Sequence, residues 1–247
     1  MQKKAVVFDV DDTLYSRSQP FIKACRDVLQ PRFELDWLRL YERRCFYGDE
    51  IFEASQRGTV TMEEMYIYRL GKALADFGQA VPDQEILDFE KRYAYHQSRI
   101  TLDAGMEDIL DDLHRRGFVL GVVTNGPSDR QRVKIHALGL EKWIPRSHWC
   151  ISGDVGVMKP YPRIFDIEAQ KLSLPAEACW YIGDNYEGDV LAPAQAGWHS
   201  IWYNPGSLPA PEPAAIPRNG HSVPDFEAHS AHALFIYLSR LSNPLCP

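Results

Sequence analysis

The chain has 247 residues, of which 45% are hydrophobic and 25% charged, which suits one large globular domain or a domain with a modest insert. Its formal net charge of −7, with no basic run, argues against nucleic acid as the main partner. No apolar run approaches the about 20 residues that cross a bilayer, so we expect no membrane partner.

The cysteines and the first residues indicate the compartment. Five cysteines are scattered without a CxxC pair, namely Cys25, Cys45, Cys150, Cys179 and Cys246. An odd, scattered set is typical of reduced thiols that fill a core. The N-terminal Lys3 and Lys4 lead directly into an apolar run, with no signal peptide before it. We therefore expect a cytoplasmic protein.

The first predicted element is a buried strand over Ala5–Phe8, and it ends abruptly in carboxylates. Asp9, Asp11 and Asp12 follow within four positions. If the strand curls after Asp9, it can bring Asp9 and Asp11 into one pocket, where two like charges are costly unless a cation joins them. The segment predicts half of a divalent-metal site or an acid and nucleophile pair. The alternative is a polar loop that caps a helix.

The segment after this strand shows helical patterns and few strand signals. Thr61 and Glu64 form a capping-box pattern, and apolar residues at helical spacing follow it. A second helix is predicted from about residue 83. The predicted division is a core over 1–15 and 101–247, with an all-helical insert over 16–100.

The remainder of the chain alternates short apolar runs with helical patterns. Strands are predicted over Phe118–Val123, Trp149–Ile151, Cys179–Ile182 and His199–Tyr203. Helices are predicted over 106–116, Arg130–Leu138, Arg163–Leu172, Asp189–Ala196 and Phe226–Leu241, with an irregular Pro-rich connection over Pro205–Pro217. The alternation predicts an α/β fold with a three-layer, Rossmann-like parallel sheet.

Polar residues follow three of these later strands at the point where each one ends. Thr124 and Asn125 come after the second strand, Lys159 after the third, and Asp184 and Asp189 after the fourth. Singly, these residues suit a simple turn, a surface lysine and helix caps. Together they line the edge of the sheet where open α/β folds bind ligands.

The charges of these residues balance around one divalent ion. With Asp11 protonated, Asp9, Asp184 and Asp189 carry three negative charges, and Mg²⁺ with Lys159 supplies three positive ones. Ligation by oxygen alone favours Mg²⁺ over zinc. The sequence therefore predicts a magnesium site at this edge.

The chain resembles the haloacid dehalogenase superfamily, and within it the phosphatases. The resemblance covers residues 1–15 and 101–205, and the helical insert lies where that superfamily carries a helical cap. All four signature motifs occur in order, as Asp9-x-Asp11-x-Thr13-Leu14, Thr124, Lys159, and Asp184 with Asp189. The resemblance implies a Mg²⁺-dependent phosphoric monoester hydrolase that works through an aspartyl-phosphate.

The resemblance also implies a role for each motif residue. Asp9 is the nucleophile, and Asp11 protonates the leaving oxygen and then accepts a proton from water. Mg²⁺ is held by Asp9, Asp184 and the backbone carbonyl of Asp11, and Asp189 orients metal-bound water or the lysine. The phosphoryl oxygens are held by the remaining motif residues, namely Thr124, the Asn125 amide and Lys159, which also assists catalysis.

Three other functions are alternatives to a phosphatase. A phosphomutase keeps the same four motifs and stays open. A haloacid dehalogenase of this superfamily lacks an acid two residues after its nucleophile, so Asp11 argues against it. A phospho-accepting receiver-like signalling module is a different class, but its acceptor aspartate follows a later strand and it has no large insert.

The substrate is expected to be a small phosphorylated metabolite. A nucleotide, a sugar phosphate and a phospho-acid all remain open, because a cap would exclude larger esters. Residues in or beside the insert could contact it, namely Tyr15, Arg17, Tyr47 and Arg57. Each of them could equally pack the cap or be solvated. The protein is expected to be a monomer or a homodimer.

Overall fold

The computed structural model describes residues 3–30, 32–209 and 224–242. The chain divides into two compact units. We call Met1–Ser16 with Thr101–Pro247 the core unit and Arg17–Ile100 the helical unit. Cys246 and the part of the predicted Pro-rich connection from residue 210 to 217 lie outside the described residues.

The core unit is built on one six-stranded parallel sheet. Its strands are β1 (Ala5–Phe8), β2 (Val119–Thr124), β3 (Trp149–Ile151), β4 (Cys179–Gly183), β5 (His199–Tyr203) and β6 (Phe226–Ala228). They lie in the order β3-β2-β1-β4-β5-β6. The chain therefore leaves β1 at the centre and returns to either side of it, so the carboxyl ends of β1, β2 and β4 are neighbours.

Helices connect the strands and cover the sheet. In the core unit they are α5 (Met106–Arg115), α6 (Ser128–Ala137), α7 (Ser152–Val155), α8 (Arg163–Leu172), α9 (Ala192–Gln195) and α10 (Ala231–Ser239). Short 3₁₀ turns lie at Leu140–Lys142, Arg146–His148 and Ala176–Ala178. Val7 packs in one cluster with Phe165 of α8, while Val6 and Phe8 are buried on the opposite face. The predicted α/β class with a Rossmann-like core is confirmed.

Two predicted helices were wrong at their boundaries. The pattern read as one helix over Phe226–Leu241 is a strand, β6, followed by α10. Ser230 has extended backbone and its hydroxyl accepts from the Ala233 amide at 3.1 Å, so the helix begins only after it. A segment of three residues such as Phe226–Ala228 is too short to be assigned to strand or helix from its hydrophobic periodicity alone.

The helix predicted over Asp189–Ala196 is also different. A π-helical turn over Tyr186–Leu191 precedes α9. It begins earlier because the Asn185 carboxamide oxygen accepts from the Gly188 amide at 2.8 Å. This cap puts Asp189 inside the turn rather than at the start of a helix.

The helical unit contains α1 (Ser18–Val28), α2 (Trp37–Gln56), α3 (Met62–Ala75) and α4 (Asp83–Gln97). The predicted capping box is present, because Thr61 accepts from the Glu64 amide and the Glu64 carboxylate accepts from the Thr61 amide. Aromatic side chains fill the interior, where Phe21 meets Phe89 edge to face at 5.2 Å. None of the helices in the described ranges is long and apolar enough to cross a membrane.

A buried ionic cluster lies inside the helical unit. Glu90 of α4 accepts from Arg44 of α2 at 2.8 Å and from Arg69 of α3 at 3.0 Å. The Arg44 guanidinium also lies over the rings of Phe21 and Tyr93, 5.3 and 5.0 Å from their centroids. These contacts tie three helices together. We call Arg44, Arg69 and Glu90 the arginine-glutamate cluster.

Candidate active site

The loop after β1 presents two aspartates in different directions. The Asp9 amide donates to the Ile182 carbonyl at 2.8 Å, so Asp9 continues the pairing of β1 with β4. The chain then folds back, and the Asp12 amide donates to the Tyr15 carbonyl at 2.9 Å. Asp12 takes a positive φ of 60° at this turn. Asp9 is buried at the strand end, and Asp11 lies at the turn.

Lys159 lies at the centre of the site. Its ammonium donates to Asp9 Oδ1 at 2.8 Å, to Asp189 Oδ1 at 2.6 Å and to the Tyr181 hydroxyl at 2.9 Å. The side chain is buried, with 8% of it exposed. Three acceptors match the three N–H bonds of the ammonium. A phosphoryl oxygen that binds Lys159 must therefore replace one of them.

Asn125 fixes the backbone around Lys159. Its carboxamide oxygen accepts from the Lys159 amide at 2.9 Å, and its nitrogen donates to the Lys159 carbonyl at 2.8 Å. Tyr181, which holds the ammonium, donates its own hydroxyl proton to the Val123 carbonyl at 2.6 Å. The sequence predicted Asn125 only as a backbone donor for phosphate, so its side-chain role was missed.

Three carboxylates meet beside Lys159. Asp9, Asp184 and Asp189 each offer an oxygen, and these oxygens lie within 4.8 Å of one another. The Asn185 amide donates to Asp189 Oδ2 at 3.0 Å, which orients that carboxylate. A Cβ on Gly183 would collide with the Asp189 carboxylate, so only glycine fits there. Three hard oxygen donors suit Mg²⁺, and Asp189 is as well placed to bind it as the two predicted side-chain ligands.

The pKa of Asp9 is raised mainly by burial and further by the neighbouring carboxylates. Burial raises the pKa of Asp9 to about 7; the charge of Lys159 opposes the rise, and Asp189 and Asp11 add to it. Burial alone would lower the pKa of Lys159, but attraction to Asp189 and Asp9 outweighs it and the pKa is raised. One lysine does not neutralise three neighbouring carboxylates, of which Asp9 and Asp189 are buried and Asp184 is half-buried, so the donor set fits a divalent cation.

Thr124 supplies an unused hydrogen-bonding group. It is the last residue of β2 and is 1% exposed. Its hydroxyl oxygen is buried and has no hydrogen-bond partner among the described residues. A buried hydroxyl without a partner is costly, and a phosphoryl oxygen would satisfy it. Binding of phosphate by Thr124 stays a prediction.

Asp11 is held by partners that the sequence did not predict. Lys134 Nζ donates to both carboxylate oxygens, at 2.8 and 2.6 Å. Gln131 Nε2 donates to Oδ2 at 3.2 Å, and the Tyr15 hydroxyl donates to Oδ1 at 2.5 Å. The charge balance predicted from the sequence took Asp11 as protonated and did not include Lys134. Lys134 and Gln131 are three residues apart on α6, and this spacing was the only available signal.

The four predicted substrate residues fall in two units. Tyr15 belongs to the core unit, is 2% exposed and directs its hydroxyl at Asp11. The other three belong to the helical unit, namely Arg17, Tyr47 and Arg57. The Tyr47 hydroxyl accepts from Arg43 at 3.0 Å and donates to Asp76 at 2.9 Å. Contact of these residues with substrate stays a prediction.

The geometry and the motifs agree with one family. The model of the haloacid dehalogenase-like hydrolases matches residues 3–197 of the chain. The protein belongs to the haloacid dehalogenase-like hydrolases. This confirms the superfamily predicted from the four motifs, and with it the prediction that the protein is an enzyme.

Known proteins resemble this hydrolase over nearly its full length. It is 29% identical to the glyceraldehyde 3-phosphate phosphatase of Methanopyrus kandleri over 256 residues, which cover 97% of this chain and 99% of the relative. This relative is named as a phosphatase, which is the type of enzyme that the sequence predicted.

Solved structures support the same fold. HAD-hydrolase YfnB from Bacillus subtilis, bound to magnesium, matches with a TM-score of 0.73 and 22% identity, and the match covers 97% of this chain and 100% of that one. A dehalogenase with an intermediate complex matches with a TM-score of 0.75 and 14% identity, over 97% and 98% of the two chains. Identities this low show the fold alone.

Proposed function

We propose that this hydrolase is a Mg²⁺-dependent phosphatase that cleaves a small organic phosphate monoester through an aspartyl-phosphate on Asp9. The observation that carries the proposal is the group of carboxylates at the strand ends. Asp9, Asp184 and Asp189 bring oxygens within 4.8 Å of one another, and the single ammonium of Lys159 contacts two of them, Asp9 and Asp189. Such a cluster is completed by a divalent cation and by an anionic substrate that the cation attracts.

Two aspartates would carry the covalent chemistry. An Asp9 oxygen attacks phosphorus, the bond from phosphorus to the ester oxygen breaks, and Asp11, which enters the cycle in its protonated form, delivers that proton to the departing oxygen. Water then attacks the phosphorus of the aspartyl-phosphate while Asp11 accepts its proton, which releases inorganic phosphate and restores Asp9. When bound by Asp9, Asp184 and the Asp11 carbonyl, with Asp189 beside them, Mg²⁺ supplies charge neutralisation for the phosphoryl group.

The remaining residues would position the transferred group. The Thr124 hydroxyl, which has no partner among the described residues, donates to a phosphoryl oxygen. The Asn125 amide and the Lys159 ammonium hold the others, with Lys159 giving up one of its protein acceptors. Because the transition state spreads negative charge over these oxygens, fixed donors around them carry much of the rate.

Asp11 decides between the chemistries of the family. A dehalogenase has no alkoxide to protonate, whereas a phosphate ester needs an acid two residues after the nucleophile, and Asp11 is held in place by Lys134. A phosphomutase would use the same residues and differs in what accepts the phosphoryl group. The acceptor here is water, in agreement with the phosphatase name of the full-length relative.

Turnover of a substrate panel tests the proposal. Purified protein with Mg²⁺ should release inorganic phosphate from p-nitrophenyl phosphate and faster from one or more of glyceraldehyde 3-phosphate, nucleoside monophosphates, sugar phosphates and phosphoglycolate. EDTA and Asp9→Asn should each abolish the release. A long-lived phosphoryl-protein with almost no turnover would instead indicate a receiver-like module. Cytoplasmic location stays a prediction from the sequence.

A further inference from the structure

The Asp11 carboxylate is held by an array of donors outside the four motifs. Lys134 takes both of its oxygens, and Gln131 and the Tyr15 hydroxyl donate one hydrogen bond each. The array is buried, since 8% of the Lys134 side chain and 14% of the Asp11 side chain are exposed. Gln131 is also tied to the backbone, because its Nε2 donates to the Asn125 carbonyl at 2.8 Å.

Burial of Lys134 needs a reason. Removing an ammonium from water is costly unless a partner compensates, and Asp11 is the acidic partner that the described residues provide for it. A surface lysine on α6 would avoid this cost. Lys134 instead lies in the interior and pairs with the Asp11 carboxylate. Under the proposed function, this carboxylate is the group that transfers protons.

We propose that Lys134, supported by Gln131, is a positioning residue for Asp11. An aspartate side chain has two rotatable bonds, so an unrestrained carboxylate can adopt many orientations. An ammonium that contacts both oxygens fixes the plane of the carboxylate. Proton transfer needs the acid at hydrogen-bond distance from the leaving oxygen, so a fixed plane raises the rate of that step. The inference rests on the proposed function, because it assigns Asp11 the proton.

A comparison of two leaving groups tests whether Lys134 assists proton transfer by Asp11. p-Nitrophenol departs readily as an anion and needs little help from an acid, whereas unsubstituted phenol departs poorly without a proton. The two phenyl esters have nearly the same size and contacts. The ratio of kcat/KM for phenyl phosphate to that for p-nitrophenyl phosphate therefore measures proton delivery, since kcat/KM covers only steps through leaving-group departure.

Lys134→Met should lower kcat/KM for phenyl phosphate about 30-fold and that for p-nitrophenyl phosphate less than about threefold. Lys171→Met is the matched control, since that lysine donates to the Trp149 carbonyl and does not contact Asp11. In Lys171→Met, the ratio of kcat/KM for phenyl phosphate to that for p-nitrophenyl phosphate should equal that of the wild type. Lys134→Arg should recover part of the loss, because it restores a cation.

A double-mutant cycle separates action through Asp11 from damage to the fold. In the Asp11→Asn background, Lys134→Met should change neither ester further. Gln131→Met provides a second variant if Lys134→Met does not fold, with a smaller shift of the ratio in the same direction.

Two results would overturn the inference while leaving the proposed function intact: equal losses for both esters in Lys134→Met, or a loss that persists in the Asp11→Asn background. Wild-type protein that hydrolyses neither ester with Mg²⁺ would overturn both the inference and the proposed function.

Discussion

Each unit of the molecule buries a cluster of charges, and the two clusters have opposite surpluses. In the core unit, Lys159 contacts Asp9 and Asp189, and Asp184 lies beside these two carboxylates; we call these four residues the core cluster. In the helical unit, two guanidinium groups share Glu90. Both sets are hydrogen-bonded and mostly buried; Asp184 and Arg69 are the half-buried members. The comparison shows that buried charge by itself does not mark a catalytic site.

The difference lies in how each surplus is compensated. In the arginine-glutamate cluster, the faces of Phe21 and Tyr93 lie against Arg44, so the chain itself provides the compensation. The core cluster instead combines three carboxylates with one ammonium, and it lies at strand ends beside the Thr124 hydroxyl, whose oxygen has no hydrogen-bond partner within the described residues. A cluster that the protein completes alone stabilises the fold, whereas one that needs a ligand can serve a reaction.

Asp9→Asn gives the largest expected effect. We expect turnover to fall at least about 10³-fold, because an amide neither attacks phosphorus nor binds Mg²⁺ strongly. The free energy of unfolding without metal should not fall, since the change removes one buried like charge. Initial rates and urea denaturation measure the two quantities. Substantial remaining activity would rule out Asp9 as the nucleophile.

Glu90→Gln should lower the free energy of unfolding and leave the catalytic rate nearly unchanged, which is the reverse of Asp9→Asn. Without this carboxylate, Arg44 and Arg69 are left as uncompensated buried charges, which costs about 3–5 kcal/mol in the free energy of unfolding. Below the unfolding transition, the rate constant with p-nitrophenyl phosphate should stay within about threefold of the wild type. Loss of catalysis with stability unchanged would show that the arginine-glutamate cluster is functional after all.

Glu168 is a buried acidic residue that belongs to neither cluster. Both of its carboxylate oxygens lack partners among the described residues, and burial raises its pKa to about 8, which Lys171 only partly opposes. The folded protein then holds a proton that the unfolded chain releases near its ordinary pKa of 4.5. Wild-type stability should therefore fall as pH rises from about 4.5 to 8.

Glu168→Gln removes this dependence because it cannot ionise. From pH 5.5 to 8 the stability advantage of the variant over the wild type should grow by about 3 kcal/mol, as measured by urea denaturation. A constant difference between the two proteins would mean that the folded carboxyl titrates normally.

Metal binding should give the smallest of these effects on stability. At a Mg²⁺ concentration about 100 times the dissociation constant, the core unit should gain about 2.7 kcal/mol. Asp184→Asn should lose most of this gain, and Glu90→Gln should keep it. Thermal unfolding with Mg²⁺ and with EDTA measures the shift. An equal shift in wild type and Asp184→Asn would place the ion elsewhere.

The sequence predicted the core cluster because its residues lie in the segments that follow strands. Asp9 and Asp184 come directly after β1 and β4, and Lys159 lies further along the chain after β3. Parallel strands bring their carboxyl ends to one edge, so Asp9, Lys159 and Asp184 could be brought together without a structure. The sixth strand was missed, since three residues over Phe226–Ala228 are too few for a period to be read.

Partners on helices were beyond the reach of the sequence. Polar residues occur all round α6, so the three-residue spacing that places Lys134 and Gln131 on one face did not indicate whether that face meets the protein interior or solvent. The same holds for Arg44 and Glu90, whose buried pairing depends on how α2 and α4 pack. Side chains that act across elements depend on tertiary contacts, and one-dimensional patterns do not encode these.

The central claim is that the core cluster forms a covalent phosphoryl-enzyme on Asp9. The direct measurement is to mix wild-type protein with Mg²⁺ and p-nitrophenyl phosphate, quench with acid, reduce with borohydride and map peptides by mass spectrometry. Reduction converts an aspartyl-phosphate to homoserine, and the account predicts homoserine at position 9, dependent on Mg²⁺ and absent without substrate. Homoserine at another aspartate, or turnover with none at position 9, would contradict the account.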